Sequence, residues 1–206
     1  MSKVTGTSVL VDRFPFGDSD KAIPVGSAVL KNHIQVTHSE DDDIILGSGG
    51  YVHAATDQVE KQGSISLITQ TRTLTIGSEL LSALSGEEVH LPFGPIQAVT
   101  EIGYLDTDGT QQVLPPENYR VSLGNRSVYF QGDTPTLAEG PGTVWVNYTS
   151  GFGDSSDDVP AAWQNCVMVL AMRMYDFRGA DSGQTNDTWA RMFKHMILAA
   201  GGEYRA

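Results

Sequence analysis

Cysteine is almost missing from this chain of 206 residues: Cys166 stands alone, so no disulfide can form within the chain. Positive charge is scarce too. Lys and Arg total 13 against 25 Asp and Glu, a formal charge of -12. A surface that acidic repels phosphate backbones, which argues against a nucleic-acid binder held by counterion release. No apolar run approaches the roughly 18 residues of a membrane-spanning helix. The opening Met1-Ser2-Lys3-Val4-Thr5-Gly6 shows no basic-then-apolar leader, so the expectation is a soluble chain made in the cytosol.

Recognisable chemistry is also lacking. His33, His38, His53, His90 and His195 are scattered, with no His-x-x-x-His pair, and no Gly-x-Ser-x-Gly elbow occurs. Gly47-Ser48-Gly49-Gly50 has the composition of a phosphate loop without the Lys that must follow it. Asp41-Asp42-Asp43 with His38 and Glu40 offers oxygens and a nitrogen, but successive helical residues point apart and do not converge on one ion. Asp106, Asp108 and Glu117 imitate part of a calcium loop, yet Gln111 stands where its glycine is needed and Pro115-Pro116 interrupts it. Cys166 lies between apolar neighbours and reads as a packed thiol. Trp145, Trp163 and Trp189 read as core or interface anchors. No catalytic, cofactor or metal residue is assigned, and the expectation is a protein that is not an enzyme.

What is present is a pattern that changes period twice. Residues 1–21 form an N-terminal arm with weak signals. Pro24 opens a helical window with Val25, Ala28, Val29 and Ile34 near helical spacing. Ser39 or Asp41 suits the cap of a second helix, with Asp42 and Asp43 in its first turn. Ile44, Tyr51, Val52, Ala55 and Val59 share a stripe, but three of the four residues Gly47 to Gly50 are glycines, costing ~3 kcal/mol of helix propensity relative to alanine. This run is either a break or a bare surface for close packing. From Ser64 to Tyr148 the period is two. Leu67, Thr69, Thr71, Thr73 and Thr75 share a face, as do Ile96, Ala98, Ile102 and Tyr104. Asp106-Thr107-Asp108-Gly109 and Gly124-Asn125 are turn signals.

Helical spacing returns at Ala161. Trp163, Val167, Leu170, Met174 and Phe177 form one stripe, and Cys166, Val169 and Met172 a second. So wide an apolar surface suits a helix buried on two sides, in its own core and against a neighbour. The polar stretch Asp181 to Asp187 reads as a hinge before a last helix, Thr188 to Ala200, with Trp189, Met192, Phe193, Met196 and Ile197 on one side. The fold class is α+β: a helical bundle with an inserted antiparallel sheet or small β-sandwich and a helical C-terminus. The expected divisions are an arm (1–21), a central domain (22–180, with helices in 24–62 and 160–178 and the β insertion 64–150) and a C-terminal hinge, helix and tail (181–206).

Six stretches, in this order, resemble the head-tail connector (adaptor, or head-completion) proteins of long-tailed phages and gene transfer agents. They are the early helix with Ser39-Glu40-Asp41-Asp42-Asp43-Ile44; Ala54-Ala55 to Val59-Glu60 leading into Leu67-Ile68-Thr69-Gln70-Thr71; Leu91-Pro92-Phe93-Gly94-Pro95-Ile96 with Tyr104 to Gly109; Asn118-Tyr119-Arg120-Val121; Val146-Asn147-Tyr148-Thr149-Ser150-Gly151-Phe152-Gly153-Asp154 with Val159-Pro160; and Met174-Tyr175-Asp176-Phe177-Arg178. The match covers residues 22 to 180. The glycine run departs from it.

The resemblance implies a structural virion subunit, made in the bacterial host cytoplasm, that forms a homo-oligomeric ring, usually of twelve copies. Such a ring joins the capsid portal to the stopper or tail, and DNA passes through its channel without specific binding. Trp163, Leu170, Met174, Trp189, Phe193 and Tyr204 are the expected interface residues. Trp189, Phe193 and Tyr204 either reach the portal or, with the last helix, close the chain's own core. The competing readings are a carbohydrate-type β-sandwich binding module, favoured by exposed Tyr and Trp on one sheet face, and another virion part such as a tail terminator or stopper.

Overall fold

The computed structural model describes residues 10–13, 22–77, 88–132, 135–140, 142–177 and 186–203. Among these the order is β1 (Leu10–Arg13), α1 (Ser27–His33), α2 (Asp42–Leu46), α3 (Tyr51–Gly63), β2 (Gln70–Ile76), β3 (Glu88–His90), β4 (Ile96–Leu105), β5 (Gln111–Val113), β6 (Tyr119–Ser122), β7 (Ser127–Phe130), β8 (Val144–Ser150), α4 (Ala161–Asp176) and α5 (Asn186–Ala199). After β1, which falls in the expected N-terminal arm and pairs with β2, helices, a block of antiparallel strands and then helices follow in the α+β order read from the sequence. The chain divides into a strand unit, residues 1–16 and 70–150, and a helical unit, residues 17–69 and 151–206.

In the strand unit, one sheet runs β1-β2-β8-β4-β5 and a second runs β3-β7-β6, with every pairing between strands antiparallel. Leu74, Ile76, Ile102, Val144, Val146 and Tyr148 from the large sheet and Val128 and Phe130 from the small one share a single apolar cluster, so the two sheets form a small sandwich. The period of two decides who faces it. Along β2, Arg72, Leu74 and Ile76 are buried, while Thr71, Thr73 and Thr75 lie on the opposite face. Two sequence expectations fail here. Residues 64–69 form no named strand: the Leu67 N–H donates to the buried Glu60 carboxylate (2.8 Å), and the Thr69 N–H, bonded to the Gly153 carbonyl (2.8 Å), belongs only to an isolated bridge between Ile68 and Gly153. Ala98 does not share the inward face of Ile96 and Ile102. Register shifts between Ile96 and Ala98, and between Val99 and Glu101, interrupt the alternation and leave Ala98 exposed.

In the helical unit the glycine run is a break. α2 ends at Leu46, Gly49 takes φ +81°, and Gly50 stands just ahead of α3. A Cβ on Gly50 would lie 2.8 to 2.9 Å from the carbonyls of Gly47, Ile44 and Ile45, closer than any side chain tolerates. The helical stretch expected over 24–62 is thus three helices. Their core joins Leu30, Ile45, Val52, Ala55 and Val59 to Trp163, Cys166, Val167 and Leu170 of α4 and to Phe193 and Ile197 of α5. The Trp163 indole is held between two glycines: a Cβ would meet it at 2.9 Å from Gly63 and at 2.6 Å from Gly202. The Glu203 N–H donates to the Gly63 carbonyl (3.2 Å), tying the end of the described chain to the end of α3. α4 follows Pro160 and a capping box in which Ser155 and Asp158 bond reciprocally.

Candidate functional site

The expected interface residues fall into three groups. Trp163, Leu170 and Phe193 are buried in the chain's own helical core. Met174 and Trp189 are half-buried at its edge. Tyr204 lies outside the described residues, as do the hinge positions 181–185 and nearly all of the N-terminal arm; Asn186 already opens α5. Phe193 is 2% exposed, so α5 closes the core of its own unit. The apolar stripe that was legible packs on α4 and α3.

A ring stack fastens α5. Trp189 and Phe193 stack with centroids 5.9 Å apart and planes at 14°. The Arg173 guanidinium of α4 lies 4.4 Å from the Trp189 ring and 5.1 Å from the Phe177 ring, a charge held between two π-faces. Two residues on, α4 presents Tyr175 to a different neighbour. Its hydroxyl donates to the Asp41 carboxylate (2.5 Å), and its ring meets Tyr51 edge-on at 6.3 Å.

Some of the residues that carry the connector resemblance sit at tight places of their unit. In the strand unit, the Tyr148 hydroxyl donates to the Pro92 carbonyl (2.8 Å), and the buried Arg72 guanidinium lies 4.1 Å from the Phe93 ring. Burial pushes the Tyr148 phenol well above its usual range, with the Arg72 charge pulling the other way. A Cβ on Gly94 would run into the Arg126 side chain at 2.4 Å. In the helical unit, Gly151, at φ +142°, leaves no room for a Cβ against the Thr69 backbone (2.5 Å), and Gly153 none against Asp158 (2.4 Å). Sequence reasoning missed the buried charges. Arg72 shares its parity with Leu74 and Ile76, a signal that was available; buried Glu60 gave none.

Asp106 makes the turn that its sequence announced. Its carboxylate accepts the N–H groups of Asp108 (3.0 Å) and Thr110 (2.9 Å) and the Gln112 side-chain amide (3.1 Å). The Thr110 N–H first, then Gln112, holds its pKa below the usual carboxylate value. Cys166 is buried in α4, and burial pushes its thiol up to about 11. Among the described residues no group of three or more His, Cys, Asp and Glu side chains is placed to hold a metal ion, and no helix there is long and apolar enough to cross a membrane. Trp145 is half-buried, lying over Gly103 of the neighbouring strand, where a Cβ would meet the indole at 2.3 Å. Its Nε1–H points to Glu101 (3.4 Å).

No protein-family model matches the chain, and no curated protein matches it. Solved structures do. The fold is similar to a chain in the neck of an empty GTA particle computed with C6 symmetry, with 17% identity and a TM-score of 0.71 over 96% of this chain and 97% of that one. The same figures hold for a chain in the virion of a native gene transfer agent particle. A chain in the neck of a native GTA particle computed with C12 symmetry gives 19% identity and a TM-score of 0.64, covering 97% of each. At such identities the likeness is one of fold, and it spans nearly the whole of both chains. It agrees with the head-tail connector resemblance carried by the sequence.

Proposed function

We propose that this chain is a structural, non-enzymatic subunit of a phage-like particle: the adaptor that forms a ring between the capsid portal and the stopper or tail. The observation that carries the reading is the whole-chain likeness to chains in neck structures computed with sixfold and twelvefold symmetry and to a chain in a virion. The ordered connector motifs support it independently. The charge of -12 suits a channel through which DNA slides without sticking.

Deleting the gene tests the proposal. The expected product is DNA-filled heads that leak or fail to join tails. Complete, DNA-delivering particles made without this chain would overturn it. Tail tubes of uncontrolled length would point instead to a tail terminator.

A further inference from the structure

Among the described residues, two exposed patches of the helical unit are unlike each other. The outward stripe of α5 carries Arg191, Met192, His195 and Leu198, all exposed, with Met192 at 44% and Leu198 at 46%. These residues recur at helical spacing on the side of α5 opposite Phe193 and Ile197. The stripe is apolar and basic, on a chain that is otherwise strongly acidic. The second patch is the turn into α2, where Glu40, Asp43 and Ile44 are exposed, Ile44 at 44%. It is apolar and acidic.

α4 sets where the patches lie. Arg173 holds α5 through Trp189, and Tyr175 holds the α2 turn through Asp41. Two residues along a helix turn through about 200°, so the two patches flank α4 on nearly opposite sides. A closed ring of more than two copies needs head-to-tail contacts, which join two different and complementary surfaces of the same chain. α5 on α5 would set Arg191 against its own kind, and the α2 turn on itself would set Glu40 and Asp43 against theirs. α5 on the α2 turn sets Arg191 against Glu40 and Asp43, and Met192 and Leu198 against Ile44. An apolar centre with charges around it is the anatomy of a specific interface. Copies that each carry -12 repel at long range and need such local opposite charge to meet.

We infer that the chain assembles through these flanks: the Arg191, Met192 and Leu198 face of α5 in one copy seats on the Glu40, Asp43 and Ile44 turn of the next. The inference rests on the ring reading above and names its contact. The test uses the full chain carrying Ile44→Cys together with Met192→Cys. The buried Cys166 thiol does not compete. Mild oxidation at assembling concentration should give a ladder of covalent multimers on a non-reducing gel, whereas each single variant stops at dimer. Arg191→Glu with Leu198→Ser should raise the concentration of half-assembly about tenfold or more, because like charges then face each other. Adding Asp43→Arg should reverse most of that loss. A wild-type ring that forms while the paired cysteines give no ladder overturns the contact and leaves the ring standing. A wild-type chain that stays monomeric at all concentrations and is absent from particles overturns the ring reading itself.

Discussion

Replacing Phe193 by alanine removes the side chain by which α5 closes the helical core. Phe193 is 2% exposed, shares a cluster with Trp163 and Leu170, and stacks on Trp189. Truncating a buried phenylalanine costs about 3 to 5 kcal/mol, and the lost ring pair accounts for ~1 kcal/mol of that. In a chain of this size each kcal/mol moves the melting temperature by about 2 to 4 °C. Phe193→Ala should therefore melt about 10 °C lower. Met192→Ala, one residue away but 44% exposed, should stay within ~2 °C in the dilute, unassembled chain. Calorimetry reads the shift, and hydrogen exchange locates it. Amides of α3, α4 and α5 should exchange faster in Phe193→Ala, while those of β8 keep their rate. Equal melting temperatures for the two variants would refute the assignment of α5 to its own core and return Phe193 to the role of a contact between proteins.

Gly103→Val should lift the Trp145 indole off β4, since even a Cβ meets it at 2.3 Å; red-shifted tryptophan emission with retained strand content checks this. The Asp106 carboxylate has a lowered pKa, so its hydrogen bonds to the β4–β5 turn persist above the ordinary carboxylate range and are lost as pH falls through the lowered value. The Thr110 and Asp108 amide shifts should titrate there, and Asp106→Ala should abolish that titration. Cys166, with its thiol pushed up to about 11, should resist alkylation at pH 8 in the folded chain and react promptly in denaturant.

The long periodic elements were legible because their period survives packing. α4 and α5 fall within two residues of their sequence bounds, and the Asp106-to-Gly109 and Gly124-Asn125 turns sit where their residue types place them. Where backbone groups bond out of register, the pattern misled. The irregularities in β4 turn Ala98 outward although its spacing from Ile96 and Ile102 is even. The stretch 64–69 reads as strand, yet the Glu60 carboxylate and the Gly153 carbonyl take its N–H groups. At Gly47 to Gly50 composition left two readings open, and the left-handed Gly49 with the extended Gly50 decides for a break. The candidate surfaces were the least legible part. A helical stripe such as Trp189, Phe193 and Ile197 announces burial, but nothing in a periodicity says whether the covering surface belongs to the same chain or to the next.

The most direct test of the central claim is the copy number and position of this chain in particles purified from the producing cells, read from a reconstruction of the head-tail junction. The account predicts a closed ring at that junction, six or twelve chains of 22.2 kDa by the symmetries of the similar necks, with the α5 stripe of each copy against the α2 turn of its neighbour. Particles that hold no such ring, or hold this chain only away from the junction, would contradict it.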